Sequence, residues 1–302
     1  MQCKYLESRC GKLKILCALL FFVVPIMTGR METVVVDGIT LEYEVAGTGD
    51  AAIFIHGAFI ADAFRPLLFE PVLADHYQLI LYHRRGYGGS GHSGVPVSIA
   101  QQAADCRAVL RHLGVARAHV VGHSLGGCIA LQFTLDAPAV VQTLALLEPA
   151  LIAGATGHSY REAMLHGQQR YREVPPERLI DESLQARYGA GYRTPLERIL
   201  PGAFEQAVAH AGTVFELDLP GWLEWRFGEH EAKRITQPVL AVTGSESNAL
   251  WPRFGETHRL LLQWFTTSQG FVLPGAAHGL QLQNPRGMAG ALADFWAHHP
   301  IG

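Results

Sequence analysis

The sequence predicts an α/β fold: a mostly parallel eight-stranded sheet flanked by helices, with a block of helices inserted late in the sheet. Three observations lead there. Short apolar runs of strand length alternate with amphipathic stretches at helical spacing, the pattern of strands joined by crossover helices and covered on both faces. From Pro149 to about Ile235 the alternation gives way to helical segments alone. Finally, the apolar run 118–123 ends abruptly in a serine boxed by glycines, Gly122-His123-Ser124-Leu125-Gly126, with a helical pattern directly after it.

Thr33–Val36 and Thr40–Ala46 read as two strands around Asp37-Gly38, a hairpin signal between apolar runs. They are expected at the antiparallel edge of the sheet. Ala51–Ile55 is a short buried strand that runs into His56-Gly57-Ala58, and a helical segment follows with Phe64, Leu67, Leu68 and Val72 on one face. Next come the strand Gln78–Tyr82, the turn from Arg84 to Ser90, and a helix over 98–112 with Ser98 as its cap. Strand 118–123 leads through Ser124 into a helix on which Leu125, Ile129, Ala130 and Phe133 recur at helical spacing. Thr143–Glu148 is another buried strand. Within 149–235, helical segments around 160–173, 176–188 and 203–215 are separated by Pro175-Pro176, Gly189, Gly191, Pro195 and Pro201-Gly202. Alternation resumes with the strand Val239–Thr243, a helix over 252–264, the strand Phe271–Leu273, a loop bearing His278 and a final helix over 285–298. The expected organisation is a leader at 1–30, a core at 31–148 and 236–302, and a helical insert at 149–235.

A chain of 302 residues with 49% hydrophobic residues has ample material for a sizeable core. The net charge is −3, and the first 30 residues hold five Lys/Arg against one Glu, so the remainder is acidic and offers no footprint for nucleic acid. Cys3, Cys10 and Cys17 fall in the leader; Cys106 and Cys128 alone in the body do not make a disulfide framework. In the leader, Lys4, Arg9, Lys12 and Lys14 precede an apolar run from Ile15 to Met27, short for a membrane crossing, which needs about 20 residues. It reads either as an export or anchor signal over 4–29 with a poor cleavage site, or as sequence ahead of a true start at Met31, which implies a cytoplasmic protein. Only the anchor reading would bring a membrane in as a partner.

The spacing Gly122-x-Ser124-x-Gly126 suits a tight strand-to-helix turn in which the serine has strained backbone geometry and bulky neighbours would clash. Strand before and helix after supply the context the motif needs. This stretch resembles the nucleophile elbow of the α/β-hydrolase superfamily, and the resemblance extends over residues 33 to 299. It implies the α/β-hydrolase fold, Ser124 as nucleophile, and an insert that acts as a helical cap shaping the substrate pocket.

A serine hydroxyl needs an adjacent base that is itself oriented by a third group. In this family the order along the chain is serine, acid, histidine. His278, in the small-residue loop Pro274-Gly275-Ala276-Ala277-His278-Gly279 beyond the last strand, stands where the family places its base. The family's commonest acid position is the third residue after the glycine that ends the seventh strand, and Gly244-Ser245-Glu246-Ser247 puts a serine there. Two carboxylates remain. Glu148 ends an otherwise apolar strand and must find a partner or give up its charge; an acid at that position is known in haloalkane-dehalogenase-like members. Glu246 lies one residue short of the usual place. Glu148 is preferred, with Glu246 as the alternative. The oxyanion hole is expected from the amides of Leu125 and of Ala58, which follows the His56-Gly57 pair.

Several features are set aside. Gly86-Tyr87-Gly88-Gly89-Ser90-Gly91 matches GxGxxG after a strand, but no helix opens there, so it is a turn, with Arg84 and Arg85 in structural ion pairs. His56 and His123 flank the expected pocket without metal-ligand spacing and are read as packed, hydrogen-bonded histidines. Cys128 is read as buried in its helix. Trp222, Trp225 and Trp251 are candidates for the pocket wall, with plain core packing the equal alternative for each. Together these readings point to a serine hydrolase, carboxylesterase-like, acting through an acyl-enzyme on a small, mostly apolar ester or related acyl substrate, with no cofactor and no metal. A serine in place of an aspartate argues against dehalogenase and epoxide-hydrolase chemistries. The alternatives are a non-catalytic ligand-binding or receptor protein on the same fold, or a C–C bond, lactone or amide hydrolase using the same triad.

Overall fold

Residues 30–302 are described by the computed structural model; the two readings of the leader fall on 1–29, outside the described residues. Asp37 and Gly38 take φ of 48° and 77°, the two left-handed residues that a two-residue hairpin turn requires. They join β1 (Glu32–Val36) to β2 (Ile39–Ala46) in antiparallel register. β3 (Asp50–Ile55) follows, and then a 3-10 turn (Arg65–Phe69) and α1 (Pro71–Ala74). Here the expected single apolar face is corrected. The residue before Pro71, Glu70, is pushed to extended backbone, the helical phase restarts, and Leu73 is buried while Val72 is 41% exposed.

β4 (Tyr77–Tyr82), α2 (Ile99–His112), β5 (Ala118–His123), α3 (Leu125–Asp136) and β6 (Val141–Leu147) come next, with the Ser98 hydroxyl capping α2 by accepting from the Gln101 amide at 3.1 Å. The insert then runs through α4 (Gly157–Tyr171), α5 (Pro176–Tyr188), α6 (Arg193–Ile199), α7 (Ala203–Ala209), a π-helical stretch (Thr213–Asp218), α8 (Leu219–Glu224) and α9 (Glu229–Ala232). The helix expected over 203–215 therefore stops at Ala209, and Thr213 begins a wider winding. β7 (Val239–Gly244), α10 (Ser247–Leu250), α11 (Arg253–Trp264), β8 (Ser268–Leu273), α12 (Leu280–Gln283) and α13 (Pro285–Ala297) complete the chain.

The strands form one eight-stranded sheet in the order β1-β2-β4-β3-β5-β6-β7-β8. β2 pairs antiparallel with β1 and with β4, and every other pairing is parallel. Alternate side chains divide between two cores, as a period-2 strand covered on both faces must. Ile53, Ile55, Val120, Leu144, Leu146 and Ala241 face α2, α3, α11 and the insert. Ala52, Phe54, Val121, Ala145, Leu147 and Val242 face α1 and α13. Among the described residues no helix is long and apolar enough to cross a membrane.

One buried polar network ties the insert to the sheet. Arg84, just after β4, is 1% exposed and its guanidinium pairs with Asp218 at 3.0 Å. It also donates to Gln102 and to the carbonyls of Gly57 (2.8 Å) and His56 (3.2 Å). Tyr87 and Gln102 add donors to the same carboxylate, at 2.6 and 3.0 Å. Arg85 forms its own buried pair with Asp105, at 2.5 Å. Removing one member of a buried pair strands the other charge. Asp218→Ala is therefore expected to lose about 3–5 kcal/mol of unfolding free energy in urea titration; a loss under about 1 kcal/mol would contradict this reading of the network.

Candidate active site

The β5–α3 turn holds Ser124 at φ 53° and ψ −118°, a conformation that costs a non-glycine residue on the order of 1–3 kcal/mol and needs its surroundings to enforce it. They do so through the backbone. The Ser124 amide donates to the Leu147 carbonyl at 2.9 Å, and its own carbonyl accepts from the amides of Gly127 (3.0 Å) and Ala150 (2.9 Å). The flanking glycines are required by close approach: a Cβ at Gly122 would lie 2.5 Å from the Gly126 carbonyl oxygen, and one at Gly126 would lie 2.0 Å from that of Ile55.

His278 lies in the loop between β8 and α12. Its amide donates to the Arg187 carbonyl of α5 at 3.1 Å, and its carbonyl accepts from His123 Nε2 at 2.8 Å. The ring is held between Phe254, stacked at 4.6 Å, and His123 at 4.7 Å. His278 Nδ1 is 2.7 Å from Glu148 Oε2. Glu148 follows β6, is 2% exposed and takes φ 43°. Its Oε1 accepts from the Thr243 hydroxyl and the Gly244 amide, both at 2.9 Å, and the buried Ser247 hydroxyl lies alongside.

Burial alone would raise the Glu148 pKa; the bonds and charge offered by His278, with the Gly244 amide, outweigh it and hold the carboxyl below its ordinary value. An ionised Glu148 only accepts, so the imidazole proton sits on Nδ1 and Nε2 is left bare, without a protein partner among the described residues. Burial, with Arg253 and Arg187 adding to it against the opposing pull of Glu148, sets the His278 pKa below the usual histidine value. Glu246 is exposed and its carboxylate makes no hydrogen bond or ion pair among the described residues. Of the two acids considered from sequence, Glu148 is the one brought to the ring.

Ser124, His278, Ala58 and Leu125 line one cavity of about 260 Å³ between the sheet's C-terminal edge and the insert. The Leu125 amide is the first of α3, where an N–H has no intrahelical partner. The Ala58 amide donates no hydrogen bond among the described residues. The next residue, Phe59, has φ 73°, and its carbonyl accepts from His210 Nδ1 at 2.7 Å, which ties this loop to the insert. The residues that carry these two unpartnered amides line the same cavity as Ser124 and His278.

His56 donates from Nδ1 to the Gly57 carbonyl and accepts the Arg84 amide on Nε2. His123, pushed down to about 3 first by burial and then by His278, stays neutral and props the His278 backbone. Burial pushes the Cys128 thiol up to about 12, so it supplies no thiolate at neutral pH. Trp222 and Trp251 line the cavity. Trp225 follows the packing alternative: it stacks on Phe227 and donates to Gln132 at 2.8 Å. Phe254, Arg253 and Arg187 were not foreseen, since each reaches the site from a segment with no motif. Among the described residues no group of three His, Cys, Asp or Glu side chains is gathered as metal ligands would be.

A family model described as the alpha/beta hydrolase fold matches residues 51–285. This chain belongs to the α/β-hydrolase family. Among similar proteins, the dihydrolipoyllysine-residue acetyltransferase component of an acetoin cleaving system from Cupriavidus necator is 35% identical over 219 residues, 71% of this chain and 57% of that protein. A fluoroacetate dehalogenase from a Burkholderia species is 36% identical over 118 residues, 37% of this chain and 38% of its own length. The chain thus spans well under two thirds of either relative. The solved structure of a thermophilic esterase from Thermogutta terrifontis, with malate bound, superposes with a TM-score of 0.78 at 19% identity, covering 90% of this chain and all of that one. That likeness carries the fold.

Proposed function

We propose that the protein is a serine hydrolase, carboxylesterase-like, which cleaves a small, mostly apolar ester or related acyl substrate through a Ser124-His278-Glu148 triad. Ser124 Oγ attacks the acyl carbon while His278 Nε2 takes its proton. Glu148 keeps the ring in the required tautomer and offsets the charge of the imidazolium. The amides of Ala58 and Leu125 receive the oxyanion. Collapse of the tetrahedral intermediate expels the alcohol, which His278 protonates, and leaves an acyl-enzyme; water, deprotonated by His278, then releases the acid and restores Ser124. The observation that carries this reading is the 2.7 Å bond from His278 Nδ1 to buried Glu148, with the other ring nitrogen unpartnered on a side chain that shares a cavity with Ser124. The cavity is slightly smaller than the usual run of ligand pockets, about 300–1,000 Å³, and apolar walls such as Phe59, Val214, Phe215, Leu219 and Trp222 favour a compact acyl group.

A fluorophosphonate probe is expected to label the protein once, at Ser124, and Ser124→Ala is expected to lose both the label and more than about 10³-fold of p-nitrophenyl butyrate hydrolysis. A wild-type chain that neither labels nor turns over would instead be a ligand-binding member of the fold. Glu148→Gln is expected to lower kcat by about 10³–10⁴ while Glu246→Gln stays near wild type; the reverse pattern would overturn the acid assignment. Turnover of a panel of esters, lactones and amides sorts the acyl class.

The base must be neutral to accept a proton, and the His278 pKa is displaced downward, so the neutral form persists into mild acid. The acid limb of kcat/KM is therefore expected to be centred below pH 6.5. A limb centred above that value would contradict the environment assigned to the ring.

A further inference from the structure

Charges at the cavity are not all matched. Glu148 is engaged by His278, Asp218 by Arg84, and Glu182 by Arg170 at 2.5 Å, so each of these carboxylates has a partner. Arg187, which also lines the cavity, has none: among the described residues it makes no ion pair. Its Nη1 donates to the Ser183 carbonyl at 2.8 Å and its Nη2 approaches the weak acceptor Met164 Sδ at 3.8 Å. Most N–H donors of its fork are left over. Arg253, behind the wall, is 2% exposed, donates to the Pro149 carbonyl at 3.2 Å and stacks on Tyr160 at 3.8 Å. Among the described residues it too lacks a carboxylate, and it adds positive charge near His278. Arg187 stays charged at any physiological pH, and burial together with Arg253 acts against that charge. Arg187 is half-buried at the cavity wall, and a guanidinium placed there without a carboxylate beside it is free to take a counter-ion from whatever enters.

We propose that Arg187 selects substrates bearing a free carboxylate on a short apolar chain, gripped by its fork while Ser124 engages the acyl carbon. This rests on the hydrolase reading and narrows its substrate class. The ligand chemistry follows from the walls: one spare fork of single charge suits a planar carboxylate, and the aromatic and aliphatic lining suits the chain that carries it. Arg187 is also well positioned for coupling to the reaction, because its carbonyl holds the His278 amide at 3.1 Å. That contact is made by backbone and survives a change of side chain.

Two matched pairs test the proposal: p-nitrophenyl hydrogen glutarate against its methyl ester, for a carboxylate on the acyl side, and 4-acetoxybenzoate against its methyl ester, for one on the leaving group. In wild type at low salt, the anionic member of at least one pair is expected to have the higher kcat/KM by about 10-fold or more. In Arg187→Met that ratio is expected to fall to near one, whatever happens to absolute rates, and Arg187→Lys, which keeps charge without the fork, is expected to retain part of it. Neutral preference in both pairs, or a ratio unchanged in Arg187→Met, overturns the proposal. Tryptophan fluorescence of Ser124→Ala, titrated with valerate and with pentan-1-ol, separates its failure from that of the hydrolase reading. Saturable binding of valerate alone, lost with Arg187→Met, upholds the carboxylate site even if no ester turns over; turnover of neutral esters without such binding sinks the site and leaves the hydrolase standing.

Discussion

A carboxylate with 2% of its surface exposed has to have its charge met by donors, and Glu148 has them on both oxygens. Thr243 and the Gly244 amide, at the end of β7, take one; His278, from the loop after β8, takes the other. Three successive strands are therefore registered against one another at their C-terminal ends by a single side chain. Replacing it with an apolar residue would leave a buried imidazole N–H and a backbone amide without partners, each at a cost of about 1–3 kcal/mol. The site is in this sense part of the sheet's own packing.

The backbone strain has the same address. Among the described residues, the non-glycine positions with positive φ are Asp37, Phe59, Ser124 and Glu148. The first belongs to a hairpin turn, and the other three stand just beyond β3, β5 and β6, where the central parallel strands open toward the insert. Strain gathered at one strand edge marks a place where geometry is set against local preference. The glycines that allow the close approaches there, Gly122 and Gly126, are fixed by backbone carbonyls and not by flexible side chains. The insert contributes from above: the Arg187 carbonyl holds the His278 amide, His210 holds the Phe59 carbonyl, and Asp218 receives Arg84. The walls of the cavity and the groups that line it are thus positioned by the same bonds.

Much of this was legible in the sequence because it is local. A glycine-boxed serine between an apolar run and a helical pattern places Ser124 at a turn, and the small-residue loop after the last strand singles out His278. Alternation of strand and helix gives the sheet, and Asp37-Gly38 gives its first hairpin. What was not legible depends on register between distant strands or on helical phase. The sequence favours Glu148 over Glu246 only through the need of a carboxylate at the end of an apolar strand for a partner; that Glu148 donates its amide to Val242 and so lies beside Gly244 is a matter of register. Val72 and Leu73 exchange places because Pro71 restarts the helix. Asp218 and Arg187 find their roles across more than 90 residues of chain, in helices whose composition alone shows only amphipathic segments.

The central claim is that Ser124, His278 Nε2 and the amides of Ala58 and Leu125 converge on one reacting carbon. A crystal structure of the protein inactivated with a small alkyl phosphonate tests it most directly, since the phosphorus mimics the tetrahedral intermediate. The expected result is a covalent bond to Ser124 Oγ, the phosphoryl oxygen within hydrogen-bond reach of both amides, and His278 still bonded to Glu148. An adduct on another residue, a phosphoryl oxygen directed away from those amides, or a His278 ring parted from Glu148 would contradict it.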